Sequence, residues 1–210
     1  MTTNNSSLRH CWFILSVLLL LSGCLRPSNI TTLYTLEPIR QQPLTSEWKD
    51  VSEMTLLMPV QLASHLQRRG LLYPQVPGTT RSSATDLWAG PLDQLVSQQI
   101  VAGLKDLLAT ENIAAFPGPR FSTVRYQVEV ELNEFSSDGR QFITTAVYTL
   151  SDVSNKTILV RKTFRQQDNL NHTGYEGTVT SASQAIGDLS KEIAVSLLAA
   201  HRQNVTAHAR

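Results

Sequence analysis

Four histidines follow the first twenty-odd residues: His65, His172, His201 and His208. Histidine is the commonest base near neutral pH. A hydrolase built on one needs a nucleophile and an orienting group brought to it in space. His208 falls in the C-terminal tail, His201 at the end of an apolar-patterned run, and His65 and His172 in segments that read as loops. No Gly-X-Ser-X-Gly elbow and no His-Glu-X-X-His pair occurs in the chain. Gly174-Tyr175-Glu176-Gly177 has neither the spacing nor the lysine of a phosphate-binding loop. Glu129 and Glu131 stand two apart, but on the polar side of an alternating run, where water is the default partner. These residues predict no catalytic group, no metal ligands and no cofactor, and so a non-enzymatic protein.

The residue with distinctive chemistry is a thiol. The chain has two cysteines, Cys11 and Cys24. Arg9 and His10 precede an apolar run, Cys11–Leu21, which ends in Leu21-Ser22-Gly23-Cys24. A basic start, a short apolar stretch and small residues before a cut read as a secretory signal. The run is well short of the roughly 20 residues a membrane-spanning helix needs. Leu-Ser-Gly-Cys resembles a bacterial lipobox. That resemblance implies cleavage before Cys24, a lipid on its thiol, and a fatty acyl group such as palmitate on the new amino terminus. One acyl chain anchors only marginally, at about 0.8 kcal/mol per buried CH₂, whereas a triacylated cysteine holds stably. An Asp after the cysteine usually retains Gram-negative lipoproteins in the inner membrane. Leu25 stands there instead, which implies the periplasmic face of the outer membrane.

With Cys11 removed and Cys24 lipidated, the mature domain has no disulfide, and its stability must come from an apolar core. Net charge is +1 with the charges interspersed, and no basic stripe carries interleaved aromatics, so no nucleic-acid surface is expected. The organisation is a signal peptide (1–23), a lipidated tether (24–30), one domain (31–203) and a frayed tail (204–210). The polar residues Leu25–Asn29 reach only about 20 Å when extended.

Thr31–Leu36 and Val51–Val60 read as strands, although Leu57 breaks the alternation of the second. Gln61–Ala84 is the least regular stretch, broken by Pro74, Pro77 and Gly78. A short extended piece is expected at Gly70–Val76, a mobile loop at Pro77–Ala84 and a turn at Asp86–Ala89. Leu92, Leu95, Val96, Ile100, Leu104, Leu107 and Leu108 form one apolar stripe, so Pro91–Leu108 is a helix with proline in its first turn. A short strand follows at Ile113–Phe116. Val124–Leu132 alternates strictly, which predicts a sheet with one dry and one wet face. Turns at Asp138-Gly139 and Ser154-Asn155 make Phe142–Leu150 and Thr157–Arg165 the next strands of an antiparallel meander. Val179, Ala182, Ile186, Leu189, Ile193, Leu197 and Ala200 stripe a last helix, Tyr175–His201, which either lies on the sheet or meets a partner helix. The expected class is α+β: two layers, a mostly antiparallel sheet, and two long helices on one face.

Trp88 admits two readings, a core residue under the irregular loop or an interface anchor. Leu66, Leu71 and Leu72 add more apolar surface than a solvated loop requires. Trp88, Leu66, Leu71 and Leu72 are therefore candidate interface residues of a homo-oligomer.

Four segments, in order, resemble the PqiC (YmbA) family of ABC-type transport auxiliary lipoproteins. They are Leu33-Tyr34-Thr35-Leu36, Met58-Pro59-Val60-Gln61-Leu62, Asp86-Leu87-Trp88-Ala89-Gly90-Pro91-Leu92 and Leu189-Ser190-Lys191-Glu192-Ile193-Ala194. The resemblance implies an outer-membrane subunit of an MCE-type intermembrane lipid transport system that supports membrane integrity. Its partner would be an MCE-domain periplasmic channel protein. Only the lipidation site carries over, onto Cys24. At Ala63–Arg69 the chain departs from the family's Pro-X-Tyr-Leu-Asp-Arg-Pro-like run; Leu66 and Arg68 match it, Ala63 and Arg69 do not. The alternative is a periplasmic lipid-binding carrier or sensor acting alone, which requires an apolar pocket of about 300 Å³ or more between helices and sheet.

Overall fold

Alternation, helical spacing and turn chemistry build nine strands and two long helices among the described residues. The computed structural model describes residues 30–45, 48, 51–76, 79–119, 123–170, 172 and 174–208. Cys24, the signal segment and tether residues 24–29 lie outside the described residues. The strands are β1 (Thr32–Tyr34), β2 (Met54–Leu57), β3 (Gln61–Leu62), β4 (Gly70–Val76), β5 (Thr79–Trp88), β6 (Ile113–Ala115), β7 (Val124–Ser137), β8 (Gln141–Asp152) and β9 (Thr157–Asn169). The helices are α1 (Leu92–Leu108) and α2 (Tyr175–His208).

The larger sheet runs β6-β2-β7-β8-β9, with β3 also beside β7. β7, β8 and β9 form the antiparallel meander; β7 and β9 start where expected and run on to Ser137 and Asn169, and β8 is longer at both ends. Tyr126, Val128, Val130 and Leu132 of β7 and Phe142, Ala146, Tyr148 and Leu150 of β8 are buried on the face that meets the helices. At the first hairpin Gly139 takes a φ of 90°, which costs glycine nothing. The Asp138 carboxylate accepts the N–H groups of Arg140 and Gln141 at 2.8 and 2.7 Å. Those donors, Gln141 first, hold its pKa below the ordinary 3.8.

The α+β class is as expected, but the sheets are mixed. β2 lies parallel to both β6 and β7, β3 parallel to β7, and β1 parallel to β5. The strand expected over Val51–Val60 is confined to Met54–Leu57, which lies between β6 and β7. Thr55 and Leu57 are buried on one face and Met54 on the other, so both faces are covered where the strand begins and apolar residues do not alternate strictly.

α1 begins at Leu92, one residue after the expected start: Pro91, at φ −58° and ψ 129°, is the N-cap, and its carbonyl accepts the Gln94 and Leu95 N–H groups at 3.1 Å. α2 lies on the meander and against α1, so the stripe from Val179 to Ala200 is core and not a seam for a partner helix. The helices approach closely at Gly103, where an added Cβ would sit 3.0 Å from Ser190 Cβ. Tyr148 fastens sheet to helix: its hydroxyl lies 2.8 Å from Ser196 Oγ and donates to Glu192 Oε1 at 3.2 Å. Burial, ahead of the nearby Glu192 charge, pushes that hydroxyl above the usual tyrosine value. The segment after β1 is stitched across both helices. Glu37 N–H donates to Ser183 Oγ at 3.0 Å, Gln41 Nε2 to the Gly187 carbonyl at 2.9 Å, and Leu44 N–H to the Leu107 carbonyl at 2.8 Å.

Two further expectations need correction. Thr79–Ala84 and Asp86–Trp88 are strand β5, not a loop and a turn; Pro77 and Gly78 lie outside the described residues. α2 also continues to His208, past the Asn204 boundary assigned to a frayed tail. An established helix adds residues cheaply, because each one fixed adds a hydrogen bond.

Candidate functional site

The smaller sheet, in the order β1-β5-β4, gathers residues far apart in sequence. β4 pairs Gly70 with Leu87 and then Leu72 with Ser82. Two steps along β4 therefore match five along β5, and the surplus forms a bulge at Ser83–Asp86. The bulge is tied by its own side chains. Ser83 Oγ accepts the N–H groups of Asp86 at 2.9 Å and Thr85 at 3.3 Å, and donates to Asp86 Oδ2 at 2.9 Å. Thr85 Oγ1 donates to the same oxygen at 2.9 Å, and Tyr34 Oη reaches Asp86 Oδ1 at 3.4 Å. Glycine is required opposite: a Cβ on Gly70 would stand 2.2 Å from both Ser82 Oγ and the Ser83 carbonyl oxygen.

Tyr175, the first residue of α2, stacks between two strands of this sheet. Its ring lies 6.3 Å from that of Tyr34 and 6.1 Å, edge-on, from that of Tyr73. Burial raises the Tyr34 and Tyr175 hydroxyls above the usual 10.0, and the Asp86 carboxylate adds to it. Neither cluster was legible in the sequence, because residues 34, 73, 86 and 175 share no spacing. The glycines of Gly174-Tyr175-Glu176-Gly177 serve this helix start. Gly174 has φ 90°, and a Cβ on Gly177 would stand 1.9 Å from the His172 carbonyl oxygen.

The candidate interface residues turn inward. Leu71, Leu66 and Trp88 are 1%, 2% and 5% exposed, and Leu72 is half-buried. With Leu92, Phe135 and Phe142 they line an enclosed space of about 10 Å³. That is room for about one water. The Trp88 ring lies 6.3 Å from that of Phe135. Of the two readings of Trp88, the core one is correct, because a side chain already buried within one chain offers no anchor to another. Two open grooves flank the sheet. One, of about 510 Å³, lies among Val60, Gln61, Leu62, Gln67, Pro91 and Asp93. The other, of about 380 Å³, runs between β1 and α2 past Leu33, Glu37, Glu176 and Ser183.

Among the described side chains, His65, His172 and His201 do not converge. His65 and His172 are exposed on separate segments, while His201 Nδ1 lies 3.2 Å from Tyr126 Oη. Glu131 pairs with Arg161 at 3.2 Å and Glu129 accepts from Gln127 at 2.8 Å. Among the described residues no group of three or more His, Cys, Asp or Glu is placed to hold a metal.

A family model, the ABC-type transport auxiliary lipoprotein component, matches residues 34–194. The chain belongs to this family. Among solved structures it is similar to protein XCC0632 from Xanthomonas campestris, of family DUF330. The identity is 17% and the TM-score 0.69, over 83% of this chain and 99% of that one. A crystal structure of an uncharacterized protein is similar at 18% identity and TM-score 0.66, over 80% of this chain and 99% of that one. At such identities the likeness is one of fold. No curated protein matches the chain.

Two of the four segments that carry the auxiliary-lipoprotein resemblance pair in the smaller sheet, and a third, in β3 of the larger sheet, faces one of them across a groove. Tyr34 in the first pairs with Trp88 in the third, and the Ala89 N–H donates to the Tyr34 carbonyl at 2.7 Å. Val60–Leu62 of the second and Pro91–Leu92 of the third face each other across the larger groove. The divergent Ala63–Arg69 run forms a turn of 3₁₀ helix at Ser64–Gln67 beside it. Leu66, which keeps the pattern, is buried there, and Arg68, which also keeps it, lines the small enclosed space.

Proposed function

We propose that this auxiliary lipoprotein is a non-enzymatic subunit of an MCE-type intermembrane lipid transport system. Lipid on Cys24 holds it at the periplasmic face of the outer membrane. Its partner is an MCE-domain periplasmic channel protein, and it works as a homo-oligomer whose contacts lie outside Trp88, Leu66 and Leu71. The family match over residues 34–194 carries the reading, with the lipobox-like Leu21–Cys24 and Leu25 beside it.

The packing supports an adaptor over a carrier. A pocket for a lipid-sized ligand buries most of that ligand in about 300 Å³ or more. Among the described residues, the space between small sheet and core is about 10 Å³, and two larger spaces are open grooves. The dispersed histidines argue in the same direction against a hydrolase.

Affinity purification from detergent extracts of the native envelope tests the reading. An MCE-domain protein is expected to co-purify with the tagged chain; recovery without any such protein overturns the assignment. Cys24→Ser tests the anchor, because serine cannot form the thioether. Labelled palmitate is expected on the wild type and absent from the variant, and wild-type chain fractionating with the inner membrane would contradict the sorting.

A further inference from the structure

β9 is the terminal strand of the larger sheet and, among the described residues, pairs with β8 alone. Its outer edge of 13 residues presents backbone groups with no strand beside them. Such an edge is a template for another strand unless its side chains refuse one.

The side chains along this edge refuse some partners and not others. Arg161, Lys162 and Arg165 are exposed near its middle. Arg161 is occupied on the wet face of the sheet, by Glu131 at 3.2 Å and Thr149 Oγ1 at 3.2 Å. Lys162 and Arg165 have no ion-pair partner among the described residues, and alternation sends them to opposite faces. Ile158 at the start of the strand is 67% exposed. The edge therefore carries an apolar foothold followed by cations on both faces.

A second β9 meets this edge with like charges opposed in its two most extensive registers, although pairing shifted to centre on Arg165 would set Lys162 opposite Asp168. Antiparallel pairing about the central Thr163 sets Arg161 against Arg165, and parallel pairing in register sets each cation against its own copy. Like charges directly opposite are destabilising in a sheet. An acidic strand meets the same cations with attraction, so one pattern disfavours those self-pairings and selects the partner.

We infer that the outer edge of β9 is a strand-addition site for an extended, acidic segment of a partner polypeptide. The main-chain ladder supplies affinity, Lys162 and Arg165 supply charge selection, and Ile158 packs against an apolar residue at the end of the added strand. This inference does not depend on which transport system the partner serves.

The probe is the nonapeptide Val-Thr-Val-Glu-Glu-Thr-Glu-Glu-Thr, whose glutamates fall on both faces of a strand, with its counterpart carrying lysine in place of each glutamate. The full chain in detergent is followed by amide hydrogen exchange. The acidic peptide is expected to slow exchange across Thr157–Asn169 by about tenfold at ten times its Kd, and the basic peptide to have no effect. A Lys162→Glu/Arg165→Glu variant, whose thermal unfolding should match wild type because both side chains are exposed, is expected to reverse that preference. If the variant does not fold, salt gives the second reading: raising ionic strength from about 0.05 to about 0.5 M should release the acidic peptide from wild type. Equal protection by both peptides, protection elsewhere than β9, or no protection overturns the inference. So does concentration-dependent protection of β9 without peptide, which would make the occupant a second copy.

Discussion

The larger sheet is held by area and the smaller one by a few fitted atoms. Under α1 and α2, β7 and β8 bury a mainly apolar face, broken by Thr144, where each apolar side chain adds its share of surface removed from water. In the smaller sheet, Thr79–Ser82 of β5 are exposed, and the chain holds its course through a polar bulge laid on a glycine. The difference teaches where to look for adaptation. A face held by distributed burial tolerates surface change without moving, whereas a bulge held by Ser83, Asp86 and Gly70 moves when any one of them changes. Two of the segments that carry the family resemblance pair in the second kind of structure.

Leu189→Ala should give the largest effect. Leu189 is fully buried between α2 and the meander, and such truncations cost about 2–5 kcal/mol. Urea unfolding should show the whole chain losing stability in one transition. If only part of the molecule melts, the two regions are less coupled than shared packing on α2 implies.

Gly70→Ala should be smaller and local. The new Cβ must displace the Ser83 carbonyl, from which it would stand 2.2 Å, at a cost of about 1–3 kcal/mol for overpacking. Amide exchange should rise in β4 and β5 while β7–β9 keep their protection. A uniform loss would erase the contrast between the sheets.

Ser83→Ala removes an acceptor of two N–H groups and a donor to Asp86. About 0.5–1.5 kcal/mol per hydrogen bond is the ordinary scale, less what water restores at this half-buried site. The Tyr175 fluorescence environment should change with it. An unaltered midpoint and spectrum would show that backbone geometry alone holds the bulge.

How far these regions were legible in the sequence follows the same division. The meander is visible because Val124, Tyr126, Val128, Val130 and Leu132 face one dry side and one wet side. The helices are visible because their stripes bury against that dry side. β5 was invisible because Thr79, Thr80, Arg81 and Ser82 are polar on both faces, which leaves no period to read. Trp88 could be called core or interface from its type alone, and only the fold around Phe135 decides it. The parallel pairing of β2 with β6 and β7 brings together residues as far apart in the chain as Thr55 and Ile113, or Met54 and Val124, which no local pattern encodes.

The smallest prediction concerns Asp138, in the meander's exposed hairpin. Its carboxyl lies below the ordinary 3.8 because Gln141 and Arg140 N–H groups bond the charged form. The lowered value means stabilisation present above pH 3.8 and lost as pH falls through the native value. Asp138→Asn should therefore lower the midpoint slightly at neutral pH, with the gap closing in acid. A gap that widens in acid would reverse the sign of the argument.

A filled core distinguishes an anchored adaptor from a carrier, and native mass spectrometry of the full chain after gentle detergent extraction tests that distinction most directly. The expected mass is that of the chain cleaved before Cys24 plus its covalent acyl groups, with no phospholipid retained. A stoichiometric, non-covalently bound phospholipid that survives extraction would contradict it.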